Sequence, residues 1–466
     1  MNNKPGRQSF QERLDRLVGK LRTDILSGVR QPGSYLPSES MLAKQFQLSN
    51  KSVRRGLELL VEEGLIVKID RVGSMVMETA QEKIRINFGL NPSLTSDFLM
   101  DELLLEFHRG NPGIQVRPIT LNNFEHVQSA GEMMESGILD VVSFNGLQFQ
   151  EMVESGLEPL LEPLSADDAL YPIANEAFIH QGQLLAYPIS FSPVVLCYNR
   201  AHFQEADLPE PDSYWTWDDL MDAAAKLSAK RGRHAIYFVP ASENRYSVFL
   251  LQSGLEWRNN VQSEGTLDPQ LANSLRTYSK LVNNHTIFPK YLAGDHEDQT
   301  IPLFKQQQVS MIVTTYFNLN EIKHLPLDYD LAPLPTLKTR DPQKTLLITI
   351  GAAVVSNSRE KEAARKLVDF LISPEAQSII REKTVSIPAR KQVAEMSVDN
   401  REINRPSRYL MYRELFPSFY YHRDLGLPIK ALTSFRKSLN AYWSNMIDEQ
   451  ELHKVLSQWM TEPRSR

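Results

Sequence analysis

The run LPSESMLAKQF (36–46), LSNKSVRRGLELLVEEGLI (48–66) and DRVGSMV (70–76) decides how the N-terminal part of the chain folds, because it spells helix, helix and hairpin in immediate succession. Ser38 and Ser49 stand where a helix needs a side-chain acceptor for its first free N–H groups, and Gly64 stands where a helix must stop. Between these signals Met41, Leu42 and Phe46 mark one apolar face, and Val53, Leu57, Leu60 and Val61 mark a second at helical spacing. Upstream, Phe10, Leu14, Leu17, Val18, Leu21 and Ile25 form a third amphipathic stripe. A three-helix core follows. The second bracketed helix keeps Lys51, Ser52, Arg54 and Arg55 for its outer face near its N-terminus, the end that a recognition helix inserts into the major groove. The segments 65–67 and 75–77 read as strands joined by a turn at Arg71 and Gly73. That turn is the tip of a wing able to reach phosphate or the minor groove.

These three motifs at their fixed separations resemble the N-terminal domain of the GntR family of bacterial transcription regulators. Its pattern runs G-x-x-LPSE-x-x-LA-x-x-F, SR-x-TVR-x-AL-x-x-L-x-x-EGLI and G-x-GSFV. The resemblance covers the first 78 residues and implies a winged helix-turn-helix that binds double-stranded operator DNA. It implies DNA contacts for Ser38, Glu39, Ser49, Asn50, Lys51, Ser52, Arg54, Arg55, Arg71 and Gly73. Arg54 matches the family's helix arginine. Asn50 replaces the usual base-contacting arginine and Ser40 a commonly charged residue, so a departure in operator sequence is expected.

The chain of 466 residues exceeds what one core normally organises, and its 42% apolar content is that of a globular protein. Charge is unevenly divided: 13 Lys and Arg stand against 9 Asp and Glu through Glu78, which leaves 38 against 48 beyond it. A basic head on an acidic body suits a DNA-binding protein whose body must not bind DNA indiscriminately. No charged start precedes an apolar run, and no apolar stretch is long enough to span a bilayer, so a cytoplasmic location with no membrane partner is expected. The single cysteine, Cys197, lies in the apolar run VVLCY and reads as a buried strand thiol. The ten histidines are scattered, with no zinc or calcium spacing. No phosphate loop or nucleophile elbow is present. No enzyme activity, metal or cofactor is expected.

From Lys83 onward, short apolar strands alternate with helices: IRINFGL, a helix over 98–108 halted by Gly110 and Pro112, then IQVRPIT, then a helix around Met133 and the strand ILDVVSF. LLAYPI, PVVLCYN, HAIYFV, VSMIVT, YDLAPLP and ITIGAAVV read as further strands of an α/β body. Its size fits two lobes better than one sheet. Residues 79–84 form a short junction, and 85–466 the body.

Ordered fragments of that body resemble the family 1 extracellular solute-binding proteins of ABC sugar importers. They are EFHRGNPGIQV, SGILDVVSFN, GLEPL, AYPISFSPVVLCYNRAHFQEADL, TWDDLMDAAAKL, LFKQQQVSMIV, YDLAPLP, IGAAVVSNSREKEAARKLVDFLISPEAQ and SIPARKQV. Leu139 replaces the family's proline, Ala206-Asp207 its alanine-glycine, and Gln307-Gln308 its glycine-lysine. The resemblance implies a two-lobed periplasmic-binding-protein-like domain that closes on a small solute, most simply a sugar or oligosaccharide, between strand ends and helix N-termini. At those edges the candidates are Phe144, Asn145, Tyr187, Ser190, Trp257, Tyr316, Asn318 and Gly351. Aromatic rings there would stack on sugar faces while amides and hydroxyls bond hydroxyl groups. Trp215 and Trp217, at the start of a helix, read as anchors.

Leu432, Phe435, Leu439, Trp443 and Met446 mark a last helix packed across the lobes or contributing to a dimer. Paired half-sites need two recognition helices roughly 34 Å apart, so a homodimer is expected. The combination implies a regulator whose clamp closure alters operator affinity, in the family most commonly a repressor relieved by its ligand. Two alternatives stay open: a clamp that answers to a protein partner, and a GntR regulator fused to a pyridoxal-phosphate-binding fold, for which Ser434 and Lys437 have the bare spacing.

Overall fold

Ser38 and Ser49 cap their helices as their positions require. In the computed structural model the Ser38 side chain accepts from the Met41 N–H and that of Ser49 from the Ser52 N–H. They open α2 (Glu39–Phe46) and α3 (Asn50–Glu62), which follow the long α1 (Arg7–Leu26). Gly64, with φ +68°, supplies the left-handed turn after α3. The wing is an antiparallel pair, β1 (Ile66–Ile69) and β2 (Gly73–Val76), in register Ile66 with Val76. The structure describes residues 7–26, 28–69, 72–77, 83–91, 94, 98–121, 126–229, 232–254, 267–290 and 299–461.

The core of this head is Leu14, Leu17, Val18 and Leu21 from α1, Leu42 from α2, and Val53, Leu57 and Leu60 from α3, closed by Ile66 and Val76 of the wing. Gly56 lets α1 and α3 approach, since a Cβ there would lie 3.1 Å from Val18 and 3.2 Å from Leu14. Two expected core residues lie outside: Met41 is 63% exposed and Val61 37%. Met41 lies one position before the buried Leu42 and Val61 one after the buried Leu60, where the 3.6-residue period turns the side chain to solvent. The Phe10 side chain falls outside the described side chains.

The chain divides into two compact units, Met1–Ile86 with His108–Arg117, and Asn87–Phe107 with Pro118–Arg466. The second carries most of a sheet in the order β4-β3-β5-β12-β8-β10-β9. Its strands are β3 (Ile84–Leu90), β4 (Ile114–Thr120), β5 (Val141–Asn145), β8 (Tyr187–Asn199), β9 (His234–Tyr237), β10 (Val309–Thr315) and β12 (Thr345–Val354). A small hairpin, β6 (Ile179–His180) with β7 (Gln183–Leu184), stands apart. Short β11 (Tyr329–Ala332) and β13 (Ile387–Pro388) add to β8, and β14 (Phe419–Tyr420) adds to β12.

The sheet is shared by two lobes because β8 crosses from one to the other. Its first half pairs with β12, from Tyr187 opposite Ala352 to Pro193 opposite Leu347, while Val194 to Tyr198 pair with β10. The expected pair of strands, LLAYPI and PVVLCYN, joins from Tyr187 onward into one strand of 13 residues, buried throughout, while Leu184 belongs to β7. Pro193 does not break it, because the strand changes partners there and the missing N–H falls at the seam. A bulge precedes the seam: the register shifts between Ile350 and Gly351, and the Ile189 carbonyl is taken by the Gln377 side chain at 3.0 Å and the Ala389 N–H at 3.2 Å.

Helices cover both lobes. In the first are α4 (Met100–Gly110), two residues later than expected from sequence, α5 (His126–Glu135) and α6 (Gly146–Glu154), with α7 (Pro172–Glu176) beyond them. In the second, α8 (Arg200–Glu205) follows β8, and α9 (Trp217–Ser228) opens with a capping box between Thr216 and Asp219. Trp217 is buried there, and its Nε1 donates to Gln252 at 2.8 Å, the anchoring role expected of it. Then come α10 (Glu243–Gln252), α11 (Pro269–Val282), α12 (Thr300–Lys305), α13 (Lys361–Leu371) and α14 (Pro374–Lys383).

The last helices are α15 (Lys391–Ala394), α16 (Ile429–Trp443) and α17 (Glu449–Thr461). The entry to α16 ties the lobes together: Gln150 of α6 donates to the Leu427 carbonyl at 3.1 Å, and the Ile429 N–H to Glu154 at 2.7 Å, while Tyr246 of α10 donates to the Leu432 carbonyl at 3.1 Å. Its apolar stripe ends at Trp443; Met446 is 76% exposed, because the chain has left the helix and turns at Asn445 with φ +55°. Cys197 is fully buried, and burial pushes its thiol well up from its ordinary value.

Two departures from the solute-binding pattern carry strain. Asp207 (φ +53°) and Gln307 (φ +57°) occupy the left-handed region at the positions where the resembling pattern has glycine. The Cβ of an L-residue costs roughly 1–2 kcal/mol in that region, partly offset by the entropy that glycine loses on folding. Gln307→Gly is therefore expected to stabilise the protein by about 0.5–1 kcal/mol, read as a rise in the urea midpoint at unchanged slope.

A second expectation concerns His422, which is buried, bonded to the Glu243 backbone and without a partner at Nε2 among the described residues. Burial pushes its pKa down from 6.5 to about 4. The unfolded chain takes up this proton as pH falls through the ordinary value, whereas the folded protein resists until about 4. The stabilisation is whole above the unfolded value and is lost as pH drops toward the folded one. Between about pH 7.5 and about pH 5 this group alone should cost about 2 kcal/mol, and His422→Gln should flatten the slope of denaturation midpoint against pH by that amount.

Candidate DNA interface and ligand clamp

On the head, the first turns of α3 present Asn50, Lys51, Arg54 and Arg55 to solvent. Ser52 is not among them. It is 8% exposed, and its hydroxyl lies 2.7 Å from that of Ser49, because position 52 falls on the buried row next to Val53. Ser38 and Ser49 are exposed, yet their oxygens are committed to capping; what they leave toward a phosphate is the backbone of a helix start. Gly73, exposed with φ +137°, opens β2. Arg71 lies outside the described residues.

Arg54 is held in place by a carboxylate on the neighbouring helix. Its Nε and Nη2 donate to the two oxygens of Glu39 at 3.3 and 2.9 Å, a fork-to-fork pair joining α3 to the first residue of α2. Hydrogen bonding and charge from Arg54 hold the Glu39 carboxyl below its ordinary range, and Glu39 in turn raises Arg54. The same guanidinium edge is the one that reads guanine O6 and N7. A base contact by Arg54 is thus an exchange of one bidentate acceptor for another.

In the body, β3, β5 and β10 end at Leu90, Asn145 and Thr315, the kind of edge at which open α/β sheets bind ligands. Phe98 and Phe317 meet as a buried edge-on pair with centroids 5.3 Å apart. Asn145 is half-buried and caps α6 in a capping box with Gln148, whose Oε1 also accepts from Asn91 at 2.8 Å. Asn318, half-buried, stands with Oδ1 3.4 Å from the Thr315 hydroxyl.

The other expected ligand residues are used by the fold in this conformation. Phe144 is fully buried, with its ring 5.7 Å from those of Phe149 and Phe178. Gly351 backs that cluster, and a Cβ there would stand 2.6 Å from Phe178 and 2.8 Å from the Tyr187 carbonyl. Tyr187 donates to the Ser165 carbonyl at 2.7 Å, and Ser190 to that of Ile387 at 2.6 Å. Tyr316 is fully buried and donates to the Tyr409 carbonyl at 3.0 Å. Trp257 lies outside the described residues. Ser434 and Lys437 sit inside α16, away from any strand-to-helix turn, so the spacing noted for pyridoxal phosphate has no structural counterpart.

Sequence reasoning missed the segment 409–421. Tyr409, Tyr412 and Phe416 join Tyr171, Phe191 and Tyr316 in a chain of edge-on rings, and Arg381 lies 4.3 Å over the Tyr409 ring. The dense aromatic run YLMYRELFPSFYY was the available signal. The Arg436–Glu243 pair at 2.8 Å, joining α16 to α10, was missed as well. Among the described residues no His, Cys, Asp and Glu cluster could hold a metal, and no helix is long and apolar enough to cross a membrane.

Comparison with known proteins bears on both parts. Residues 91–378 match the family described as bacterial extracellular solute-binding protein, and residues 14–76 match the bacterial regulatory proteins of the gntR family. A binding protein of Brucella abortus (strain 2308) is 25% identical over 314 residues, 64% of this chain and 74% of its own. The sn-glycerol-3-phosphate-binding periplasmic protein UgpB of Shigella dysenteriae is 23% identical over 360 residues, 70% of this chain and 79% of its own. An ABC substrate-binding protein from Listeria monocytogenes, solved in complex with cycloalternan, has the same fold, with a TM-score of 0.68 at 21% identity over 81% of this chain and 98% of that one.

Arg54→Ala should lower affinity for a specific operator fragment by roughly 1–3 kcal/mol while leaving binding to unrelated duplex almost unchanged, as read by fluorescence anisotropy at fixed salt. Equal losses on both duplexes would make Arg54 a phosphate contact instead.

Proposed function

The chain belongs to the bacterial extracellular solute-binding protein family and carries at its head a domain of the gntR family of bacterial regulatory proteins; from that premise we propose that it is a ligand-responsive transcription regulator. The observation that carries the reading is the fusion itself. A clamp built to recognise a solute is covalently joined to a module built to present a recognition helix.

On this reading the protein works in the cytoplasm as a homodimer, with Asn50, Lys51, Arg54 and Arg55 of each α3 entering successive major grooves of double-stranded operator DNA. The effector is a carbohydrate or related polyol bound between the strand ends, with Asn145 and Asn318 at the rim and Trp257 as a further candidate contact. Support for that chemistry comes from the relatives, one named for sn-glycerol 3-phosphate and one solved with cycloalternan. Closure of the lobes changes how the two heads of the dimer are held, and so changes operator affinity. No bond is made or broken, and no catalytic group is called on.

The test is a linkage measurement on the full-length protein. Tryptophan emission reports only the body, since all five tryptophans lie beyond residue 200. A panel of mono- and oligosaccharides should contain one that changes emission saturably, and its apparent affinity should shift by roughly 5–150-fold when DNA from upstream of the gene is added. Operator affinity must shift by the same factor when that sugar is present. Emission that responds to no sugar, together with capture of a protein that alters operator binding, would replace the small effector with a protein partner.

A further inference from the structure

A cavity of about 210 Å³ opens in the second lobe, where the end of α10, the first turn of α11 and the connection from β11 to β12 come together. Its polar lining is Gln252, Gln270, Asn273, Lys338, Asp341 and Lys344. These groups converge: a Cβ placed on Gly254 would stand 3.5 Å from the Gln270 Oε1 and 3.8 Å from the Lys344 Nζ. The site is also held. Gln252 accepts from the Trp217 Nε1 at 2.8 Å and donates to the Pro335 carbonyl at 2.8 Å, so one wall is fixed by the buried tryptophan that starts α9.

The charges of the lining do not balance. Lys344 is half-buried, donates to the Leu251 carbonyl at 3.0 Å and lies 5.5 Å from the centre of the Tyr420 ring. It has no carboxylate within ion-pairing distance among the described residues, and burial pushes its pKa down against the weaker pull of Asp341. Lys338 adds a second ammonium. The backbone donors of α11 contribute little, because Asp268 already accepts from the N–H groups of Gln270 and Leu271. Recognition here rests on side chains: an excess of one positive charge, and amides suited to hydroxyl groups. The volume is below the roughly 300–1,000 Å³ of pockets for drug-sized ligands, so one sugar unit fills it.

We propose that this cavity is a second small-molecule site, apart from the crevice between the strand-end loops, and that it takes a monosaccharide-sized polyol carrying one anionic group. The anion meets the Lys344 ammonium, and the hydroxyls meet Gln270 and Asn273. A phosphate ester and a carboxylate share this chemistry.

The experiment is titration calorimetry on the full-length protein with glucose 6-phosphate, gluconate and glucose as probes, in the wild type, Lys344→Gln and Asn273→Leu. Asn273 is exposed on α11, so its replacement leaves the fold intact even if Lys344, bonded to the Leu251 carbonyl, proves structural. Saturable binding of either anion, weakened at least about tenfold by Asn273→Leu, supports the site, and the stronger anion tells phosphate from carboxylate. Absence of binding by both anions, or anion binding that Asn273→Leu leaves intact, overturns it. Glucose binding that survives Asn273→Leu belongs to the crevice, and the anion must leave it undisplaced for the proposal to stand.

Discussion

A strand of 13 residues with every side chain buried can exist only if its backbone is satisfied along its whole length, and β8 meets that demand by belonging to two ladders in turn. β12, also buried throughout, accompanies it through the first. Unpaired N–H and C=O groups at the seam would each cost about 1–3 kcal/mol. The chain places Pro193 there, which has no donor to lose, and lets the Thr345 hydroxyl take the Val194 carbonyl at 2.5 Å. The lobes are thereby parts of one continuous sheet. Any movement between them has to be absorbed by twisting at Pro193 and at the Ile350–Gly351 bulge, where the ladder is already irregular.

The head obeys a different economy. Its core is a few aliphatic side chains, too small to hold a surface element rigidly by packing alone. Order at the reading surface comes instead from polar locks: two serine caps, the Ser49–Ser52 hydroxyl contact and the Arg54–Glu39 fork. The fork is exposed, so it adds little to stability. On the proposed function it would hold the Arg54 fork ready for a two-acceptor partner, whether a guanine edge or a phosphate.

The helical head was readable from sequence because each element carried its own punctuation: Ser38, Ser49 and Gly64 act locally, and the structure keeps all three in those roles. The order of strands and helices in the body was readable for the same reason. Side-chain direction was not. In VVSFN of β5 four successive residues are buried, so both faces of the strand are inside and the period of two that would separate core from cleft is silent. Phe144 at a strand end therefore looks like a cleft aromatic in sequence and is a core ring in space. The strands expected on either side of residues 190–192 are one strand in space, and Pro193 marks a change of partner within it. The 409–421 segment has no helical or strand period to reveal it, since its short 3-10 turns and bends place aromatic rings by tertiary contact alone. Asp207 and Gln307 were visible as departures from a pattern, but only their positive φ shows what the departures cost.

On the proposed function, an effector that bound both arrangements of the lobes equally would shift nothing, however tightly it bound. The contacts that the lobes make with each other set the scale it must overcome. The Phe98–Phe317 pair is worth about 0.5–1.5 kcal/mol beyond its buried area. The hydrogen bonds of Gln150 and Glu154 to the entry of α16 contribute about 0.5–1.5 kcal/mol each. Together these are of the same order as the 1–3 kcal/mol typical of allosteric coupling. Both rings are buried against each other, so an effector that changed the lobe arrangement would have to replace that aromatic contact with contacts of its own. On that reading a much stronger interlobe lock would make the clamp deaf to its effector, and a much weaker one would let the lobes close without it.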